Sequence, residues 1–268
     1  MSFSLSTLLG VARYEFRMQV KRPGIWITFA VVTFYIIFIA MGGPGEVSKD
    51  IKENIAHLPL LIYMADFTYS VNQYLPIFFG CLLADRLVRD RRLKTEEIMN
   101  TTGASVGTRL LGKYFGNLCA TIVPMLAVYA IVLCYIVYVA QNLMAIPMFL
   151  LTFVTIALPG LLFVTAFSLA CPLFMPVSLY MFLYVGYWVW GNMFLKQQQE
   201  FSVPSLSRTI LTPSGTFIVN GLFNQGHKST LVTATPLQAV ESICLLLCIT
   251  MLVLVGLWRF LKWQQARR

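Results

Sequence analysis

Charge is what this sequence has least of: Asp, Glu, Lys and Arg make up 12% of 268 residues, 58% are hydrophobic, and the mean hydropathy is +0.74. That balance leaves too little polar surface to clothe a soluble domain, and the chain reads as a polytopic membrane protein. Acids are scarcer still, eleven against twenty Lys and Arg, for a net charge of +9. In a soluble protein this excess would point to nucleic acid. Here the bases sit beside apolar segments, as membrane topology requires, and no nucleic-acid partner is expected. Histidine is limited to His57 and His227. With the acids scattered, no clustered acid, base or metal set is left to support an enzyme. The six cysteines (Cys81, Cys119, Cys134, Cys171, Cys244, Cys248) contain no C-x-x-C pair and lie in or beside apolar segments. They read as small buried apolar residues, with no disulfide framework implied. Cys244 and Cys248 share a helix face at i,i+4, but a soft metal would need a third ligand nearby.

Two short motifs each lack a necessary part. Residues 107 to 114, Gly-Thr-Arg-Leu-Leu-Gly-Lys-Tyr, approach the phosphate-cradling P-loop, which requires Ser or Thr after the Lys and a strand before the first Gly. Tyr114 stands in the first place and a charged helix in the second. Gly103-Ala-Ser105-Val-Gly107 matches G-x-S-x-G, but that elbow needs a strand-to-helix turn and a His base. Both histidines fall across the membrane from it in the topology below.

What is present is a series of apolar segments around one dense charged run. Residues 3 to 22 predict an amphipathic helix lying in the interface: Leu5, Leu8, Leu9, Ala12, Phe16 and Val20 share one arc, and Arg13, Arg17 and Lys21 form a basic row on another. Pro23-Gly24 then turns the chain into the bilayer. Six segments are apolar and about long enough to span, near residues 25 to 42, 67 to 84, 114 to 138, 146 to 170, 176 to 195 and 237 to 259. The second is interrupted by Asn72, Gln73 and Pro76. With the N-terminus inside, the inner segments hold fifteen of the twenty Lys and Arg, and the outer ones five (Lys49, Lys52, Lys196, Arg208, Lys228). The positive-inside rule therefore places both termini in the cytoplasm. The outer loop from 196 to 236 is the longest. Its part from 209 to 223 is too apolar for solvated coil and predicts a short helix or re-entrant segment, which is tolerated only where it packs on protein.

The charged run, residues 84 to 116, lies between spans two and three. From Asp85 to Met99 there is no Gly or Pro, and Arg86/Asp90 and Arg92/Glu96 pair at i,i+4, so a helix is expected over 85 to 105, ended by Asn-Thr-Thr-Gly-Ala-Ser. Within it stand Asp90, then Lys94-Thr95-Glu96-Glu97-Ile98-Met99, then Thr101-Thr102-Gly103-Ala104-Ser105, then Leu110-Leu111-Gly112-Lys113-Tyr114. This run and the layout of the whole chain resemble the permease subunit of type 2 ABC (ATP-binding cassette) transporters. In that family an acidic and basic run precedes a Gly-Thr-x-Glu stretch, a Pro-containing turn and a Gly-Lys-aromatic start to the third span. Lys94 stands where the family has Gly, and Gly103 where it has Pro.

The resemblance implies an all-α membrane protein, residues 1 to 268 forming one permease domain of six spans, an N-terminal interfacial helix and a cytoplasmic coupling helix. No nucleotide-binding domain is expected in the chain. ATP and Mg would sit on a separate cytoplasmic ATPase subunit, with a second permease chain, identical or not, completing the path. It further implies an exporter in the plasma membrane for a hydrophobic or amphipathic solute such as a lipid, lipid-linked glycan, antibiotic or peptide. Arg89, Asp90, Thr95, Glu96, Glu97, Gly103 and Ser105 would then contact the ATPase, and the turn at Phe174 and Met175 would make a second contact or be a plain buried turn. Asn72 and Gln73 either line the path or bond helix to helix. Glu241, one turn into span six, either faces that path or snorkels. Tyr184 and Tyr187, in an aromatic-rich fifth span, either line it or belong to the interfacial belt. Gly112 and Gly116 form a G-x-x-x-G pair suited to close helix contact. Two other classes remain open: a membrane sensor or maturation partner on the same fold, and a membrane-bound enzyme.

Overall fold

A backbone in hydrocarbon must satisfy its own hydrogen bonds, and a long apolar run does so as a helix. The computed structural model describes residues 5–35, 59–86, 105–194, 213–224 and 234–267, with residues 38, 49, 53 and 88 besides. Among these, all regular structure is helical. In chain order the helices are α1 (Leu5–Val20), α2 (Pro23–Tyr35), α3 (Leu60–Ala84), α4 (Val106–Ala140), α5 (Ala145–Thr152), α6 (Leu158–Ala170), α7 (Val177–Val189), α8 (Thr216–Leu222) and α9 (Pro236–Ala266). A π-turn (Phe153–Ala157) joins α5 to α6, a 3₁₀ turn (Cys171–Leu173) ends α6, and a second π-turn (Trp190–Phe194) ends α7. Three stretches are long and apolar enough to cross a membrane: Val106–Tyr138, Ala145–Leu173 and Pro236–Ala266; α2 is apolar but shorter.

The helix ends follow from local chemistry. Ser105 caps α4, its hydroxyl accepting from the Thr108 N–H at 3.1 Å. Gln141 closes the other end in the left-handed conformation (φ 50°), its N–H donating to the Val137 carbonyl. Thr235 and Gln238 form a reciprocal capping box at the start of α9. Pro159 cannot donate to the Thr155 carbonyl and its ring crowds that position. The turn before it widens to the i→i+5 pattern. The helix expected from residue 67 begins instead at Leu60, because 60 to 65, Leu-Leu-Ile-Tyr-Met-Ala, is itself apolar and free of breakers.

Most of α3 is buried, and its main partners are the rods on either side of the first π-turn, with α7 alongside. α4 and α9 flank this centre and leave wide apolar faces outward, among them Ile131, Tyr138, Met251 and Leu252. Cys119, Cys134, Cys244 and Cys248 also face out of the bundle. That departs from the buried placement expected of them; an apolar thiol on a lipid-facing surface is solvated by hydrocarbon and needs no protein cover.

α1 packs along the N-terminal half of α4. Its inward face carries Leu8, Val11 and Ala12 with Glu15 and Gln19, the last two 5% and 1% exposed, while Leu5, Leu9 and the basic Arg13 and Arg17 point outward. Gln19 Nε2 donates to Asn117 Oδ1 at 2.6 Å, and Glu15 lies 3.9 Å from Lys113 Nζ. Gly116 makes the approach possible: a Cβ there would stand 2.7 Å from the Ala12 carbonyl oxygen. An interfacial amphipathic helix needs only an apolar and a polar face. This one has a third, which buries polar groups against protein.

One end of the bundle gathers α1, the end of α3, the start of α4, the turn after α6 and the end of α9. Phe174 meets Phe260, Leu110 packs with Ala170 and Leu257, and Ala84 packs beside Met175. The Lys and Arg residues of α1, α4 and α9 lie at this end.

Candidate functional site

The best-connected polar groups in the bundle surround the segment 213 to 224, which lies between the helices. Pro213 through Gly221 are all buried. Gly215 adopts φ +94°, a left-handed conformation open to glycine and strained for other residues, and turns the chain into α8. The tip meets Asn72, the middle residue of α3, and Gly160, close to the midpoint of the stretch Ala145–Leu173. Gly160 is needed for that approach, since a Cβ would stand 2.7 Å from the Pro213 carbonyl oxygen.

Non-helical backbone at such depth must find partners inside the protein. Asn72 Nδ2 donates to the Ser214 carbonyl at 2.8 Å and lies 3.5 Å from the Ile156 carbonyl in the first π-turn. The Ser214 N–H donates to Asn192 Oδ1 at 3.3 Å. Asn192 belongs to the second π-turn, and its Nδ2 donates to the Trp188 carbonyl at 2.9 Å, taking the acceptor an α-helical main chain would use. The Thr216 hydroxyl donates to the Tyr69 hydroxyl at 3.1 Å, and Asn224 Nδ2 donates to Asp66 Oδ1 at 2.7 Å. Asp66, Tyr69, Asn72 and Gln73 thus form one face of α3 along which the segment is held. The π-turns Phe153–Ala157 and Trp190–Phe194 both touch this centre, and π-turns recur at functional positions.

α7 fastens the same region from the other side. Pro76 interrupts the hydrogen-bond ladder of α3. The Trp188 Nε1–H donates to the Gln73 carbonyl at 2.8 Å and the Tyr184 hydroxyl to the Pro76 carbonyl at 2.6 Å, so two carbonyls near the interruption gain a side-chain donor. Gln73 Nε2 reaches the Asn192 carbonyl at 3.4 Å.

Of the residues the sequence singles out, Asn72, Gln73 and Tyr184 come together here. Tyr187 is half-buried on α7, its hydroxyl shielded and without a hydrogen-bond partner among the described residues. Glu241 is exposed on the outer face of α9, away from the centre. Phe174 is exposed and its ring centre lies 4.6 Å from that of Phe260; Met175 packs beside Tyr180, Tyr184 and Trp188. Ser105 caps α4. Arg89, Asp90, Thr95, Glu96, Glu97 and Gly103 lie outside the described residues. Sequence reasoning missed Asp66, Tyr69, Asn192, Ser214, Thr216 and Asn224. The signal open to it was a Pro-Ser-Gly turn inside an apolar stretch, with isolated Asn residues in others.

The groups that meet here are amides, hydroxyls, main-chain carbonyls and one carboxylate held by Asn224. Among the described residues no three His, Cys, Asp or Glu side chains come together. The arrangement is suited to holding irregular backbone deep within a helical bundle. No family model matches the chain, and no curated protein does.

Proposed function

We propose that this chain is the transmembrane permease subunit of an ATP-driven ABC exporter for a hydrophobic or amphipathic solute, spanning the membrane six times with both termini cytoplasmic. Residues 85 to 105 form its coupling helix on a separate ATPase subunit, and a second permease chain completes the path. The observation that carries this reading is that the chain leaves α3 and rejoins α4 at one end of the bundle, the end that also holds the turn at Phe174 and Met175. The residues that bracket one segment nominated for ATPase contact thus share an end of the bundle with the other. The basic residues of α1, α4 and α9 gather there too, which the positive-inside rule assigns to the cytoplasmic face. A re-entrant helix anchored at the middle of α3 supports the same reading, because irregular backbone at that depth belongs beside a route through the bundle. Rigid-body motion of the ATPases would act on α4 and, through Glu15 and Gln19, on α1 together.

The test is co-purification with the ATPase and measurement of hydrolysis in reconstituted vesicles. Glu97→Lys or Arg89→Glu is expected to lower coupled hydrolysis about tenfold or more, since losing a buried interfacial charge pair costs about 2–5 kcal/mol. Unchanged coupling in both variants sinks the docking role. A sensor would alter its partner's activity with no solute flux, and an enzyme would turn over with no partner present.

A further inference from the structure

α9 outruns its apolar part. Its 31 residues make a rod of about 46 Å, against about 30 Å of hydrocarbon and about 40–45 Å once headgroups are included. The apolar run closes at Leu257, and beyond it come Trp258, Arg259, Lys262, Trp263 and Arg267, with no Asp or Glu anywhere after Glu241. Spacing by four sets each of two cations on a ring: Lys262 Nζ lies 5.5 Å from the Trp258 ring centre, and Arg267 Cζ lies 3.9 Å from that of Trp263. All five side chains are exposed, Trp258 flanking the buried side of the helix beside Gly107 of α4 and the others turned further from Leu254 and Leu257. Among the described residues no carboxylate pairs with Arg259, Lys262 or Arg267. Phe260 continues the aromatic surface towards the exposed Phe174.

We propose that this end of α9 binds the headgroup of an anionic phospholipid. Arg259, Lys262 and Arg267 supply the positive charge that draws the headgroup, while Trp258, Trp263 and Phe174 lie at the boundary between headgroup and acyl chain. Length puts these last turns at headgroup level, where indole rings are at home. A guanidinium laid flat on an indole keeps its edge N–H donors free for phosphate oxygens. Three cations with no carboxylate partner among the described residues favour a lipid of net negative charge over a zwitterion, whose own cation they would repel. Because Phe174 shares the surface, the bound lipid lies beside the turn assigned above to ATPase contact.

The purified full chain, delipidated in nonionic detergent, is titrated with phosphatidylglycerol or with chain-matched phosphatidylcholine, and bound lipid is counted by native mass spectrometry. Preferential retention of phosphatidylglycerol is expected. Lys262→Gln with Arg267→Gln lowers that affinity about thirtyfold, at about fivefold per basic residue near an anionic surface, and leaves phosphatidylcholine unchanged. Lys262→Arg with Arg267→Lys, which keeps both charges, restores most of it. Should the double variant not fold, Arg259→Gln alone reads the same effect at about fivefold. Equal phosphatidylglycerol binding by variant and parent overturns the proposal. So does soluble glycerol phosphate binding as tightly as the lipid, or loss of the ATPase partner with lipid binding intact, which would make the face a protein contact.

Discussion

Asn72 shows how much one amide does at the centre of this bundle. Its Nδ2 serves the Ser214 carbonyl at 2.8 Å and faces the Ile156 carbonyl, two acceptors that water does not reach. Asn72→Asp keeps the size and shape but turns an acceptor toward both. We expect it to destabilise the purified protein by about 3 kcal/mol, the order for a buried charge without compensation, read as an earlier midpoint in thermal or denaturant unfolding. An unchanged midpoint would show that the re-entrant tip does not depend on this contact. A similar argument covers Trp188, fully buried and donating to Gln73, whose indole is a packing and a bonding group at once. An aromatic-rich span read from sequence is a belt or a lining. Here the i,i+4 row Tyr180, Tyr184, Trp188 is turned inward, and the bonds to Pro76 and Gln73 account for two of the three.

At the scale of elements, the contact between α1 and α4 is the one whose failure is easiest to see. Gly116→Leu would thrust a side chain into the Ala12 backbone and the Glu15 side chain. Overpacking of this kind costs about 1–3 kcal/mol, enough to raise the open population about tenfold. Trypsin should then cut at Arg13 and Arg17 about tenfold faster in the variant than in the parent, followed by mass spectrometry of the released peptides. Equal rates would mean that α1 is held by lipid alone. The apolar helices were legible in the sequence because their length and composition carry the signal, and the start of α4 was legible in Ser105 and the charged run before it. Less visible was everything set by contact between distant segments. Nothing local in Glu15 or Gln19 says that they turn away from water, since their partners Lys113 and Asn117 are about a hundred residues on. The apolar stretch near residue 215 predicted a short helix or re-entrant segment packed on protein. That it meets Asn72 and Asn192 depends on two π-turns and on Gly160, which no periodicity announces.

For the whole molecule, the gathering of basic residues at one end makes orientation testable. In a variant whose six cysteines are replaced by Ala, Gln141→Cys and Ala266→Cys lie at opposite ends of the bundle. A membrane-impermeant thiol reagent added to intact cells should label the first and spare the second until the membrane is opened. The reverse pattern would place the charged run outside and end the account of coupling. The same end-to-end geometry bears on where a solute could travel. The stretch from Pro213 to Gly221 behaves as a stopper seated among the helices, its narrow end at the middle of α3. A conduit through the interior of a lone copy would demand that the stopper be drawn out and its amides rehydrated; a furrow between two copies would leave it in place. If the proposed pair of permeases forms, the stopper therefore favours the seam between them over the interior of either one.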